Sequence, residues 1–378
     1  MHSPAAERRI TIHLMKTVPV EIPATAPHRY DIRIAAGLLG GLGEAVRAVA
    51  PAPTCGLVSD SNVGPLYAAQ AAASLTAAGY RVIQHTLPAG EEHKTLANVS
   101  AVLDTLLNAK IERATPIVAL GGGVVGDLTG YAAASLVRGV PFVQVPTTLL
   151  SAVDASVGGK VGVDHPTGKN LIGAFHQPRL VLTDIATFKS LPPREVRCGL
   201  AECIKHGVIR DADLFEFIRM NATRLLACEE SAMAELVARN VAIKAAVVGE
   251  DPFERGVRAL LNFGHTFGHA IETVTDYAAV AHGEAVALGM IAAGRMATAL
   301  GRFPAADLDR LISLIKLVGL PTARPGLDLD RTFAGMFSDK KVRGGKLRFI
   351  LPSRIGHAEI VENVPEAPVR EALASLTH

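Results

Sequence analysis

From Arg29 onward, short unbroken apolar runs alternate with longer stretches of helical period, and that alternation admits few folds. RYDIRI, TCGLVSD, YRVIQHTL, TPIVAL and PFVQVP read as strands. LLGGLGEAVRAVA, PLYAAQAAASLTAAG, TLANVSAVLDTLLNAK and GGGVVGDLTGYAAASLVR read as the helices between them. A strand that is apolar on both faces must be covered on both faces. The expectation is therefore an α/β unit, a parallel sheet with helices on either side. Ligands bind such sheets beyond the carboxyl ends of the strands.

After LPPRE (Leu191 to Glu195) the texture changes. Long helical segments follow, among them GLAECIKHGVI, SAMAELVARNVAIKAAVVGE and GEAVALGMIAAGRMATALG, and strand candidates return only at GKLRFILPS and HAEIVENV. A chain of 378 residues suits two domains. The expected division is 18–190 for the α/β domain and 191–378 for a mostly α-helical one. Residues 1–17 are expected to form a mobile extension, with a true start at Met15 as the alternative.

A formal charge of +2 provides no basic field for nucleic acid. The most apolar long window, Ala114 to Val137, contains Asp127 and five glycines, so it reads as a strand, loop and helix and not as a membrane span. The N-terminus has no secretory h-region. Cys55, Cys198, Cys203 and Cys228 form no C-x-x-C pair, which points to a reducing, cytoplasmic setting. Cys198 and Cys203 flank Glu202. Buried inert thiols are the ordinary reading there, and a thiolate metal site is the alternative.

Three polar loops fall at strand ends: SDSN at Ser59 to Asn62, LPAGEEHKT, and the three consecutive glycines of VALGGGVVGD, which open a helix. Glycine lets the backbone approach a ligand, and a helix N-terminus offers N–H groups to a phosphate. Together the loops could enclose one dinucleotide. The stretch VPTTLLSAVDASVGGKVGVDHPTGKNLIGAFHQP shows little periodicity yet is too apolar for a disordered linker, so it reads as a long ordered loop. Its PTGKN resembles a Walker A ending, but the first glycine is misplaced and no Ser or Thr follows Lys169.

Arg138 to Lys205 holds eight Lys/Arg against five Asp/Glu. Lys160, Lys169 and Lys205 stand isolated among small or apolar residues, as point charges aimed at a carboxylate or phosphate would. Glu202 and Lys205, at i and i+3, share a helical face, either as an ion pair or as a metal ligand beside a substrate-binding cation. In NFGHTFGHAIE, His265 and His269 are spaced to share a face, which invites a metal. The zinc-protease signature is absent, since Thr266 stands where its general-base Glu would be. His265, His269, His282 and one carboxylate make an open metal site plausible.

These motifs in order resemble the 3-dehydroquinate synthase family: GGGVVGD, RGVPFVQVPTTLLSAVDASVGGKVGVDHPTGKNLIGAF, RCGLAECIKHG, LLNFGHTFGHAIE, HGEAVALGM and DKKVRGGKLRFILP. The resemblance runs from about Val18 to the C-terminus. It implies an N-terminal Rossmann-like NAD-binding domain, an α-helical metal-binding domain, a site between them and a homodimer. It also implies conversion of 3-deoxy-D-arabino-heptulosonate 7-phosphate to 3-dehydroquinate and phosphate, with NAD⁺ and Zn²⁺ or Co²⁺. The implied course is transient oxidation, β-elimination of phosphate, re-reduction and aldol closure.

By the same resemblance the metal ligands are Glu202, His265 and His282, and His269 passes to substrate binding and proton transfer. Glu254, Lys160 and Asp154 join it as catalytic residues. Substrate would meet Arg138, Asp154, Lys160, Asn170, Lys205, Lys244, Arg258, Asn262, His269 and Lys340, with Lys341 fitting the last position equally. NAD would contact Asp60, Asn62, Glu91, Lys94, Gly122, Gly123, Val124, Asp127, Thr147, Thr148, Lys169, Thr187 and Lys189. The rival readings are a metal-dependent NAD polyol or glycerol dehydrogenase, another sugar phosphate cyclase making an inosose or a valiolone, and a non-catalytic metal or NAD sensor.

Overall fold

The computed structural model describes residues 28–275, 279–337 and 348–378. Residues 1–17, Lys340 and Lys341 lie outside these. The chain opens with β1 (Asp31–Ala35), α1 (Leu42–Val49), β2 (Thr54–Asp60), α2 (Ala69–Ala77), β3 (Arg81–Leu87), α3 (Leu96–Asn108), β4 (Ile117–Gly121), α4 (Gly123–Ser135) and β5 (Phe142–Pro146). An antiparallel hairpin, β6 (Lys160–His165) and β7 (Gly168–Phe175), precedes β8 (Leu180–Asp184). Then come α5 (Pro193–Arg210), α6 (Ala212–Met220), α7 (Ala222–Leu226), α8 (Glu230–Glu250), α9 (His265–Val274), α10 (His282–Ala299), α11 (Ala305–Leu317) and α12 (Leu329–Met336). A second hairpin, β9 (Arg348–Arg354) and β10 (His357–Glu362), and α13 (Glu366–Ala374) complete the described chain.

The main sheet has six strands in the order β1-β8-β5-β4-β2-β3, every neighbouring pair parallel. Alternate strand residues serve opposite faces. Leu57, Val118, Leu120, Val143 and Val145 pack with Leu42, Val46 and Leu75 of α1 and α2 on one side. Val58, Ile117, Ala119 and Phe142 pack with Val102, Leu106, Val125 and Leu128 of α3 and α4 on the other. Both faces are covered, which is why these strands read as continuous apolar runs. A third apolar body joins Leu149, Val153, Ile185 and Phe188 to α5, α8, α9 and α10, so the helical half grows directly from the loops at one edge of the sheet. Among the described residues no helix is long and apolar enough to cross a membrane.

The parallel sheet and the helical second half answer the expectation. The long ordered loop does not. Its middle is the β6–β7 hairpin, and RLVLTD behind it supplies β8 next to β5. The hairpin escapes a periodicity reading because only one face is buried: Val161 and Val163 pack under α4 while Lys160 and Asn170 face out. Its two strands meet at a close approach. A Cβ on Gly173 would lie 2.3 Å from the Val161 carbonyl oxygen, so the glycines that read as loop punctuation permit the pairing. β8 is a five-residue run buried at every position, as β4 and β5 are, and it went unread because it sits at the end of the aperiodic stretch.

Candidate active site

Strand register gathers the loops. Asp60 pairs with Leu87, Val58 with Ala119, and Gly121 with Pro146. The carboxyl ends of β3, β2, β4 and β5 therefore form one row, and β8 extends it. The chain crosses from β3 to β4 over β2, which makes the β2/β4 ends the point where strand order reverses, the usual crevice for a nucleotide. Every residue expected to meet NAD lies at or just beyond this row except Lys169, which comes from β7. Asp60 ends β2 and Asn62 follows it, Glu91 and Lys94 follow β3, and Gly122, Gly123, Val124 and Asp127 open α4. Thr147 and Thr148 follow β5, and Thr187 and Lys189 follow β8.

Local chemistry holds these loops. Asp60 accepts from the backbone N–H of Asn62 and of Val63, each at 2.8 Å. Gly122 caps α4 with no side chain, and a Cβ there would come within 3.1 Å of Thr148. Lys94 is buried and donates to Asp127 and to Asn170, each at 2.6 Å, tying the turn after β3 to α4 and β7. Burial would lower its pKa, but Asp127 beside it wins and holds it raised, so Lys94 stays charged. Lys189 is engaged in an exposed ion pair with Glu230 at 2.6 Å.

On the helical side three ligand types converge. Glu202 sits mid-α5, His265 opens α9 and His282 opens α10. One atom from each lies within 4.8 Å of the others, and both imidazole Nε2 atoms are 3.4 Å from Glu202 Oε1. Glu202 is fully buried, and neither of its oxygens has a well-formed hydrogen bond. Burial alone would raise its carboxyl, but Lys205 and His265 beside it hold it well below the usual range. Burial pushes His265 down to about 4, so its ring is neutral with a lone pair to offer. Each histidine's other nitrogen faces an oxygen: His265 Nδ1 faces the Phe263 carbonyl at 3.0 Å, and His282 Nδ1 faces Glu272 at 3.3 Å. Two oriented imidazoles and a buried carboxylate that presents Oε1 to both rings while Lys205 meets Oε2 fit a divalent ion with an open position. His269 is not in this group. Its ring packs 5.4 Å from that of His265 and 6.2 Å from that of His282, beside the cluster. No cysteine enters a candidate ligand group among the described residues, and burial pushes the Cys198 thiol up to about 11.

Glycines make this convergence possible. A Cβ on Gly289 would lie 1.9 Å from the Gly264 carbonyl oxygen, and one on Gly283 would lie 2.3 Å from the Cys198 Cα. Gly264 itself holds a left-handed φ of 78° at the entrance to α9. Helices α5, α9 and α10 thus touch backbone to backbone where the three ligands meet. Gly289→Ala should cost about 1–3 kcal/mol or more through overpacking, and should lower metal content as α9 and α10 separate. Thermal unfolding beside metal analysis checks this; an unchanged Tm would refute so tight a contact.

The cations are not bare. Lys205, fully buried, faces Glu202, and Lys244 donates to the Asp154 carboxylate and carbonyl. Burial would raise Asp154, but Lys244 and Lys205 hold it far down. Lys160 pairs with Glu254, which also accepts from Asn262 Nδ2 at 2.8 Å. Arg258 is buried and donates to the Pro252 carbonyl at 2.6 Å and the Gly158 carbonyl at 3.3 Å, pinning the turn before Lys160. Asn170 and Glu254 both adopt left-handed backbone, at φ 54° and 57°. The picture of isolated lysines therefore changes: each is set by a carboxylate that comes from elsewhere in the sequence, except Lys205, whose partner is one turn away. Arg138 is exposed, with a left-handed φ of 64°, in the turn that ends α4. Glycine 139 beside it approaches His176, whose N–H donates to the Gly159 carbonyl.

Two residues escaped the sequence reading. Asp251 accepts from the backbone N–H of Arg255, Gly256 and Arg258, which shapes the loop carrying Glu254. Glu272 is buried behind His282, and its place seven residues after His265 on the same helical face was the available signal.

The model of the 3-dehydroquinate synthase N-terminal region matches residues 84–198, and that of the 3-dehydroquinate synthase C-terminal region matches residues 199–342. A 3-dehydroquinate synthase from Citrifermentans bemidjiense is 49% identical over 86% of this chain and 90% of its own length. Among solved structures, 2-epi-5-epi-valiolone synthase from Streptomyces hygroscopicus subsp. jinggangensis, with NAD⁺ and Zn²⁺ bound, superposes with a TM-score of 0.87 at 30% identity, covering 94% of this chain and 99% of that one. A 2-deoxy-scyllo-inosose synthase complexed with carbaglucose-6-phosphate, NAD⁺ and Co²⁺ gives 0.84 at 28% identity, over 92% and 96%. With both family models meeting at residue 198 and close relatives aligned along most of its length, this chain belongs to the 3-dehydroquinate synthase family.

Proposed function

We propose that this chain converts 3-deoxy-D-arabino-heptulosonate 7-phosphate to 3-dehydroquinate and phosphate, using NAD⁺ at the strand-end row and Zn²⁺ or Co²⁺ at Glu202, His265 and His282. The observation that carries the reading is the meeting of an open three-ligand cluster with a set of preset cations. A polyanionic sugar acid needs both. Residues 18–190 would form the NAD domain and 191–378 the metal and substrate domain. The enzyme would work in the cytoplasm as a homodimer, without nucleic acid or membrane.

When bound, NAD⁺ supplies a reversible hydride sink and the divalent ion a Lewis acid. The chain's residues do the rest. Lys160, Lys244, Arg258 and Asn262 would hold the carboxylate and phosphate, with Lys205, Asn170, Arg138 and Lys340 completing the set. Carboxylate partners already fix Lys160, Lys205 and Lys244, so little reorganisation of these three remains when the substrate arrives. Asp154 would hold Lys244 on line. His269, beside the cluster, and Glu254, beside Lys160, would take and return protons. Expelling phosphate from carbon next to an acidified C–H asks mainly for position, and a clamp at both ends of the substrate supplies it.

Incubation with the heptulosonate phosphate tests the proposal. Phosphate release should proceed with no accumulation of NADH absorbance, because net redox is zero. Steady NADH formation would favour a polyol or glycerol dehydrogenase. The likeness to valiolone and inosose synthases sustains a second reading, another sugar phosphate cyclase. Equal turnover of a phosphorylated sugar lacking the carboxylate would support it.

A further inference from the structure

Glu272 lies on α9 and its side chain is only 3% exposed. Its carboxylate faces His282 and Lys169. His282 Nδ1 stands 3.3 Å from one oxygen and 3.4 Å from the other. Lys169 Nζ stands 3.6 Å from Oε1, and the same ammonium is 3.6 Å from Glu91 Oε1. A continuous charged path therefore runs from the turn after β3, through Lys169 on β7 and Glu272 on α9, to His282 and the buried Glu202. Four of these five residues were expected to touch a cofactor or ion. The fifth, Glu272, joins the two groups.

Both nitrogens of His282 are committed. Nε2 faces Glu202 and the metal cluster, so Nδ1 must carry the hydrogen, and Glu272 is the acceptor that holds the ring at that angle. A carboxylate this buried needs its charge compensated, and one imidazole N–H does so only in part. Lys169 adds to it from the nucleotide side, and His269 stands close by on the same helix. Each partner thus orients the carboxylate for the other: a ring fixed by an ion fixes Glu272, which holds Lys169 in place against Glu91.

We propose that Glu272 is a positioning residue that sets the His282 ring for the divalent ion and, through Lys169, makes metal and nucleotide binding reinforce one another. The proposal rests on the reading above, in which Glu202, His265 and His282 hold the ion while Glu91 and Lys169 face the nucleotide.

The test is a pair of titrations on the full chain: Co²⁺ followed by its visible absorption, and NAD⁺ followed by calorimetry with and without Co²⁺. In the parent, Co²⁺ should tighten NAD⁺ binding roughly fivefold or more. Glu272→Ala should weaken Co²⁺ binding roughly 10- to 100-fold, alter the absorption band and abolish the effect on NAD⁺. Glu272→Gln keeps an acceptor for His282 but loses the charge that holds Lys169. It should bind Co²⁺ within roughly tenfold of the parent and still lose the coupling, and it decides the matter if the alanine variant does not fold. Parent-like Co²⁺ affinity and spectrum in Glu272→Ala would overturn the positioning role. Coupling retained in Glu272→Gln, or absent from the parent, would overturn the link. His282→Ala separates the two readings: if it binds Co²⁺ fully, the ligand assignment itself fails. If it loses Co²⁺ while Glu272→Ala does not, only the present inference fails.

Discussion

His282→Ala should be purified as a folded protein with neither bound divalent metal nor turnover. His282 is the first residue of α10, and the start of that helix does not depend on its side chain. The Ala281 N–H is taken by Glu284 at 2.9 Å, and Glu284 is gripped by Arg194 at 2.8 and 2.6 Å. The ring itself is partly open to solvent, its side chain 31% exposed, so truncation opens a wet notch and not a dry cavity. What disappears is one of three ligands. Glu202 and His265 alone would leave the ion too few protein donors, and Lys205 would then neutralise the carboxylate unopposed. Metal per subunit, measured by emission spectroscopy, and phosphate release should fall together. Unchanged metal content would remove His282 from the ligand set.

Lys160→Ala should lower turnover by roughly two to four orders of magnitude, the scale expected when a preset electrostatic contact to the transition state is lost. Lys160 begins β6, at the mouth of the hairpin, with its side chain 47% exposed, so its removal should do little to stability. Its ammonium is held by Glu254, which Asn262 steadies in turn. Without it, Glu254 loses the partner that helps keep its carboxyl low against burial, and the pocket gains uncompensated negative charge where an anion should sit. Substrate binding and kcat should both suffer. Turnover equal to the parent's in phosphate release would place Lys160 outside the site.

Much of the architecture could be read directly. TPIVAL and PFVQVP are buried at every strand position, and such runs have one comfortable home, the middle of a covered parallel sheet. The helix that opens at Gly123 was foreshadowed by the run of glycines there, and NFGHTFGHAIE read as helical. The β6–β7 hairpin was not, because its strands are stabilised by each other and by α4, and a strand buried on one face with glycine at its closest approach leaves no clean period. Glu272 was missed for a different reason. Its place on the His265 face was legible, but the partners that make its burial tolerable, His282 and Lys169, come from other elements and meet it only when α10 and β7 are laid beside α9.

The order of elements, the helical character of the second half and the identity of the chemically capable side chains belong to the sequence itself, since they follow from local periodicity and from motifs confined to short windows. Folding alone decided which of those side chains face one another. Glu202, His265 and His282 come from three helices, and they meet because Gly264, Gly283 and Gly289 let the backbones touch. Lys160 and Lys169, which look isolated along the chain, find their carboxylates only across the packed structure, because electrostatic partnership depends on distance in space and is screened beyond about 8–10 Å of solvent.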